Sequence, residues 1–137
     1  MNQFVLDAST VLVWCFPDEH TPQAQRIADL FKQGATAVVP PFWPHEVLSA
    51  LLVGERRKRI TAPLIQTFLD DLSALPITLE PFETAHVFNE IHALCRNHAL
   101  TPYDAAYLDI AMRTGLPLAT LDHDLIRASN AIAVTLL

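Results

Sequence analysis

The segment from Leu100 to Leu125 constrains the fold of this 137-residue chain more than any other stretch. It starts with TPYD at residues 101–104, which places a side-chain acceptor, a proline and an acid where a helix N-terminus takes them. Gly115 predicts the end of that helix. Residues 116–121 are few and apolar, which predicts a strand buried on both faces with Asp122 at its C-terminal end.

Short apolar stretches alternate with amphipathic ones along the whole chain. They predict strands at residues 4–6, 36–39, 77–79, 116–121 and 132–136. The stretches between them follow the helical period, including a long helix over 83–98 and a last short one over 125–129. This order predicts a single α/β domain over residues 1–137, with a central, mostly parallel sheet of about five strands and helices on both faces.

Composition bounds the compartment. The sequence has no run approaching the roughly 20 apolar residues of a membrane span, and its N-terminus lacks the features of a signal peptide. The two cysteines, Cys15 and Cys95, lie on separate apolar patterns and are expected to be small buried hydrophobes rather than a disulfide. We therefore expect a cytoplasmic protein with no membrane partner.

The net charge of −6 by itself argues against a nucleic-acid partner, because phosphate binding normally uses a basic surface. Four of the nine basic residues, however, form one run, Arg56-Arg57-Lys58-Arg59. We expect this run to be a solubilising turn, and to contact phosphate only if it faces an acidic crevice. Net charge is therefore a poor guide to the local potential.

Four acids are expected to meet at one edge of the predicted sheet. Asp7 and Asp122 follow strands, whereas Glu46 and Asp104 lie in the first turns of helices that begin at the same edge, where α/β sheets bind ligands. Two unit charges about 4 Å apart repel by roughly 4 kcal/mol at an effective dielectric of 20, so such a group either protonates or holds a cation. Oxygen ligands favour Mg²⁺ or Mn²⁺, and such an ion activates water for phosphodiester hydrolysis.

Each acid also has an ordinary structural explanation. Asp104 and Glu46 complement the helix dipole in a first turn, and Asp122 is placed to cap the last helix. Asp109 is expected to be exposed or paired within its helix, and Tyr107 to pack beneath it. The functional hypothesis therefore depends on the convergence of the acids rather than on any one of them.

Four short motifs make the chain resemble a known family, the PIN-domain ribonucleases, and in particular the VapC toxins of type II toxin–antitoxin pairs. The motifs are FVLDAS at residues 4–9, PHEV at 44–47, HALTPYDAAY at 98–107 and ATLD at 119–122. The resemblance implies a three-layer PIN-like fold and an endoribonuclease that uses one or two Mg²⁺ or Mn²⁺ ions. It also implies a homodimer, an RNA substrate and a small VapB-type antitoxin whose tail fills the acidic groove.

The resemblance also implies roles for individual residues. The acidic set, catalytic and metal-binding, would be Asp7, Glu46, Asp104 and Asp122. Ser9 or Thr120 would supply a hydroxyl that orients water or phosphate. Asp124 is the ambiguous member, because families differ in which of the last acids approaches the metal.

Three other functions share part of this pattern. Residues 4–11 approach the motif of haloacid dehalogenase-type phosphatases, but Ser9 replaces the second aspartate, which serves as acid and base. A response-regulator receiver needs a lysine near its end, whereas the lysines here are Lys32 and Lys58. The third is a non-catalytic protein-binding module whose acidic pocket binds an arginine of a partner.

Overall fold

The computed structural model describes residues 2–137 and contains one sheet of four parallel strands in the order β3-β2-β1-β4. The strands are β1 (Gln3–Leu6), β2 (Thr36–Val39), β3 (Ile77–Leu79) and β4 (Leu118–Ala119). In β1, Val5 pairs with Val38 on one side and Leu118 on the other. This confirms the predicted parallel α/β architecture.

The predicted fifth strand at residues 132–136 is reduced to a single parallel bridge between Leu118 and Leu136. Ala133 has a φ of 59°, a left-handed conformation that interrupts an extended backbone. The end of the chain nevertheless covers the edge of β4, because the Leu118 N–H donates to the Thr135 carbonyl at 2.8 Å. The described sheet therefore has four strands rather than five.

Three of the helices begin at a residue whose side chain caps them, Thr21, Thr101 and Asp122. The helices are α1 (Ala8–Cys15), α2 (Pro22–Lys32), α3 (Trp43–Arg56), α4 (Ala62–Ser73), α5 (Thr84–His86), α6 (His92–His98), α7 (Pro102–Thr114) and α8 (His123–Ala131). The Thr101 side chain accepts the Asp104 N–H at 3.1 Å. Gly115 ends α7 with a φ of 70°. Asp122 caps α8, which is longer than the predicted 125–129.

The long helix predicted over residues 83–98 is interrupted. A π-helical turn, Val87–Ile91, joins α5 to α6, and the backbone stays helical through it.

 Ala99 ends α6, because its φ of 53° is left-handed and cannot continue the helix. The two regular segments and the turn between them therefore form one irregular helix.

The strand order places a crevice between β1 and β4. The chain moves outward from β1 through β2 to β3 and then returns to the other side of β1 as β4, so the direction of the connections reverses between these two strands. Right-handed crossovers put the helices of the two directions on opposite faces of the sheet. The carboxyl ends of β1 and β4 thus flank a topological switch point, where α/β sheets bind ligands.

The core lies on both faces of β1. Phe4, Val5 and Leu6 have no exposed surface, as expected for a central parallel strand. Residues 105–111 of α7 are buried as well, and this helix contacts β1, β4, α6 and α8. Because α7 packs in the core, the residues of its first turns are held in place relative to the ends of β1 and β4.

No helix within residues 2–137 is long and apolar enough to cross a membrane. Cys15 and Cys95 are free thiols, as expected, but each is only partly buried. Each still packs against the hydrophobic core.

Candidate active site

The carboxylate of Asp7 is the centre of a hydrogen-bond network that joins the ends of β1 and β4. Its Oδ2 accepts the hydroxyls of Ser9 and Thr120, each at 2.7 Å. The same two hydroxyl oxygens accept backbone N–H groups, Ser9 from Leu121 at 3.1 Å and Thr120 from Asp122 at 3.0 Å. Both hydroxyl protons are therefore directed at Asp7, while the orientation of water or phosphate by these hydroxyls stays a prediction.

Asp7 is buried, with 5% of its surface exposed, and burial raises the pKa of its carboxyl. The hydrogen bonds from Thr120 and Ser9 lower that pKa, and the charge of Asp122 raises it. The hydroxyls therefore stabilise an ionised group in a place where burial and a neighbouring acid disfavour it.

Glu46 lies in the first turn of α3, as predicted, and its Oε1 accepts the phenol O–H of Tyr107 from α7. Burial raises the pKa of Glu46, the bond from Tyr107 lowers it, and the charge of Asp7 raises it. Burial, followed by the charge of Asp7, also raises the pKa of Tyr107, so the phenol stays a donor. This bond links α3 and α7 at the site.

The charges of all the other predicted acids act on the carboxyl of Asp104. Its pKa is raised to about 6, first by burial and then by the charges of Asp122, Asp7, Glu46 and Asp124. Burial alone raises the pKa of a carboxyl, and nearby like charges raise it further. The structure thus brings the four predicted acids into one electrostatic neighbourhood, with Asp124 as the weakest contributor.

The last two acids are also engaged elsewhere. The Oδ2 of Asp122 accepts the Leu125 N–H at 2.9 Å, so its capping of α8 is real. Asp124 is exposed and lies 3.5 Å from Arg127. Asp122 can serve both the helix and the site because only one of its oxygens accepts the capping bond.

The donor chemistry of this site suits a hard divalent cation, since the side chains that meet there are carboxylates and hydroxyls. Residues 2–137 nevertheless contain no group of three or more His, Cys, Asp or Glu side chains gathered closely enough to hold a metal ion as they stand. Mutual repulsion gives a physical reason for such spacing. The residues therefore fit a hard cation in the chemistry of their side chains, although not in their present spacing.

The basic run lies apart from these acids. Arg59 pairs with Asp18 at 3.1 Å and with Glu19 at 3.0 Å, and its guanidinium lies over the Phe16 ring. The other three members of the run, Arg56, Arg57 and Lys58, are exposed. They follow Glu46 by about ten residues along α3, a distance of roughly 15 Å. Contact with RNA by this run stays a prediction.

Two residues of α7 have roles that the sequence reasoning missed. Tyr107 packs in the core as expected, and its bond to Glu46 adds a contact at the site. The signal was its spacing of three from Asp104, which places both side chains on one helix face.

Asp109 is buried, with 4% of its surface exposed, although it was expected to be exposed or paired within its helix. Its carboxylate accepts hydrogen bonds from His86 Nε2 at 2.9 Å and from Arg113 Nε at 2.8 Å. Its predicted pairing within the helix, to Arg113, is present.

The chain is similar to known proteins over most of its length. The PIN domain family matches residues 4–131. Ribonuclease VapC3 from Pyrobaculum aerophilum is 29% identical over 123 residues, which are 90% of this chain and 92% of that protein. Its similarity thus extends over nearly the full length of both chains.

Two solved structures share the fold. The crystal structure of PAE2754 from Pyrobaculum aerophilum has a TM-score of 0.69 at 20% identity and covers 93% of this chain and 84% of its own. That of VapBC2 from Rickettsia felis, bound to a DNA fragment from their promoter, has a TM-score of 0.62 at 15% identity and covers 98% and 97%. Since the family match spans nearly the whole chain, the resemblance seen in the motifs is confirmed, and this protein belongs to the PIN domain family.

Proposed function

We propose that this protein is a VapC-type endoribonuclease that hydrolyses RNA phosphodiester bonds with Mg²⁺ or Mn²⁺. The observation that carries the proposal is the placement of Asp7, Glu46, Asp104 and Asp122 at the N-cap or in the first turn of four helices, close enough that the charges of the other acids help to raise the pKa of Asp104. Carboxylates gathered in one place repel one another and destabilise the fold, and a bound cation offsets that repulsion. Such clusters are typical of functional sites. The similarity to Ribonuclease VapC3 supports RNA as the substrate.

Asp7, Glu46, Asp104 and Asp122 would hold one or two ions, with Asp124 at the rim. When bound, such an ion neutralises charge on a phosphodiester and lowers the pKa of a water ligand. The protein's part is to orient its oxygens, and the hydroxyls of Ser9 and Thr120 do this for Asp7 by binding Oδ2. The products would carry a 5′-phosphate and a 3′-hydroxyl.

We also propose a VapB-type antitoxin as the partner, a homodimer as the working form and the cytoplasm as the location. The solved VapBC2 structure supports the antitoxin, because a chain of this fold is part of VapBC2. A short open reading frame directly upstream of this gene, whose product co-purifies with the protein, would test the pairing. Light scattering of the purified protein would test the dimer.

The decisive experiment is incubation of purified protein with RNA in Mg²⁺ or Mn²⁺, beside a chelator and the variant Asp7→Asn. We expect the wild type to cleave RNA. The chelator and the substitution Asp7→Asn should each abolish this cleavage. Asp70→Asn is a matched control, because Asp70 is exposed and its side chain accepts a hydrogen bond from Gln66 on the same helix. Equal cleavage in all samples would refute the mechanism. Mn²⁺ binding without cleavage, together with capture of a partner through one of its arginines, would favour the protein-binding module. A phosphoaspartate on Asp7 would favour the phosphatase.

A further inference from the structure

We infer that Tyr107 is a positioning residue that holds Glu46 so that a single carboxylate oxygen, Oε2, faces the acidic site. The inference rests on the proposed function, since it concerns how the same site presents its ligands. Its basis is the hydrogen bond from the Tyr107 hydroxyl to Glu46 Oε1, which joins residues 61 positions apart.

The Tyr107 ring is well placed to hold its hydroxyl still. It has no exposed surface and packs edge-on against Phe42, with ring centroids 6.0 Å apart and planes at 90°. A ring enclosed in this way cannot swing toward solvent, and a buried phenol needs a hydrogen-bond partner. Glu46 is only half-buried and has three freely rotating torsions, so the tyrosine is the fixed member of the pair.

The bond divides the two oxygens of Glu46 between two uses. Oε1 accepts the phenol, and no hydrogen bond from the described part of the chain reaches Oε2. Asp7 is arranged in the same way, because both hydroxyl donors bind its Oδ2 and no side-chain hydrogen bond from residues 2–137 reaches Oδ1. In each acid, the side-chain donors of the described residues bind one oxygen and none of them binds the other.

This arrangement makes Glu46 a one-oxygen ligand. Hydrogen bonds to ligating carboxylates fix their orientation, and removing such a partner typically lowers metal affinity or activity about 10- to 100-fold. The substitution Tyr107→Phe keeps the ring and removes only the donor. We therefore expect it to weaken Mn²⁺ binding by roughly tenfold or more.

A double-mutant cycle measured by Mn²⁺ calorimetry tests the inference. Tyr107→Phe should weaken binding in the wild-type background and have no effect in a Glu46→Gln background, because the tyrosine acts through that carboxylate. Effects that add would show a merely structural role and overturn the inference. Tyr103→Phe is the matched control, since Tyr103 is 58% exposed on the same helix and should leave affinity unchanged.

A second measurement does not require Tyr107→Phe to fold. The chain has two tyrosines, so Tyr103→Phe protein labelled with 3-fluorotyrosine carries one ¹⁹F probe, at residue 107. Mg²⁺ should shift its resonance, and Glu46→Gln should abolish that shift. A resonance that ignores Mg²⁺ while calorimetry shows binding would overturn the inference alone. A wild type that binds neither ion would overturn the proposed function, and the inference with it.

Discussion

The Thr120 hydroxyl donates to Asp7 Oδ2 at 2.7 Å, although the two residues are 113 positions apart in the chain. The contact lies one residue beyond the last pairing of β1 with β4, where the Asp7 N–H donates to the Ala119 carbonyl at 3.0 Å. The same strand pair therefore positions the carboxylate and the hydroxyl that stabilises its charge.

Replacing Thr120 with Val should raise the pKa of Asp7 and destabilise the fold. The change removes one of two hydroxyl donors to Asp7 and leaves the Asp122 N–H without its acceptor, which costs about 1–3 kcal/mol. Because the ionised form of Asp7 loses a donor, cleavage should need a higher pH than in the wild type. Thr67→Val, on the exposed face of α4, is the control. A pH–rate profile identical to that of the wild type would contradict this prediction.

Asp104→Asn should stabilise the metal-free protein at neutral pH. The pKa of Asp104 is about 6 in the folded protein, whereas an aspartate in its ordinary environment has a pKa of 3.8. Between pH 3.8 and pH 6 the folded state therefore binds more protons than the unfolded state. The charge of Asp104 therefore destabilises the fold above pH 6, and the effect disappears below about pH 4. Allowing for solvent screening of a half-buried group, we expect a gain on the order of 1 kcal/mol at pH 7.5.

Urea unfolding with chelator at pH 4 and pH 7.5 measures this difference. The backbone bond to Thr101 is retained in the variant, so the helix cap is unchanged. A variant less stable than the wild type at pH 7.5 would show that the helix dipole outweighs repulsion.

The same substitution should abolish or strongly weaken Mn²⁺ binding. Metal binding requires the deprotonated carboxylate, so wild-type affinity should also fall as the pH drops below about 6. Calorimetric titration of Asp104→Asn beside the wild type at pH 7.5 gives the comparison. An unchanged titration would return Asp104 to a capping role alone.

Asp109→Asn should destabilise the protein without lowering cleavage by the folded molecules. The change leaves His86 and Arg113 beside a group that no longer carries charge. Breaking a buried pair costs about 3–5 kcal/mol, and because Arg113 is 36% exposed we expect roughly 2 kcal/mol. Chemical denaturation measures the loss, with Asp70→Asn as the exposed control. A loss of turnover at full folding would place Asp109 among the residues that serve the site.

Neutralising the exposed basic run tests its contact with RNA. If Arg56, Arg57 and Lys58 bind phosphates, replacing all three with Gln should weaken binding of long RNA and flatten its salt dependence. Because the run lies roughly 15 Å along α3 from Glu46, a substrate of two or three nucleotides should be unaffected. Filter binding at several salt concentrations compares the two. Equal salt slopes for variant and wild type would leave the run a solubilising turn.

Much of the fold could be read from local patterns. Thr101 and Gly115 bound α7 because a side-chain acceptor and a left-handed residue act on their immediate neighbours. The parallel sheet followed from the alternation of strands and helices, and the edge where the acids gather followed from that sheet. The failure at residues 132–136 has the opposite character, since a short apolar stretch does not reveal that Ala133 adopts a left-handed backbone.

The sequence by itself determined which acids stand at the ends of strands and the starts of helices, because periodicity and capping depend on residues a few positions apart. Only the tertiary structure decided which distant donors bind Asp7 and Glu46. Thr120 reaches Asp7, and Tyr107 reaches Glu46, across 113 and 61 positions of the chain. Such pairings depend on how strands and helices pack, so neighbouring residues in the chain do not specify them.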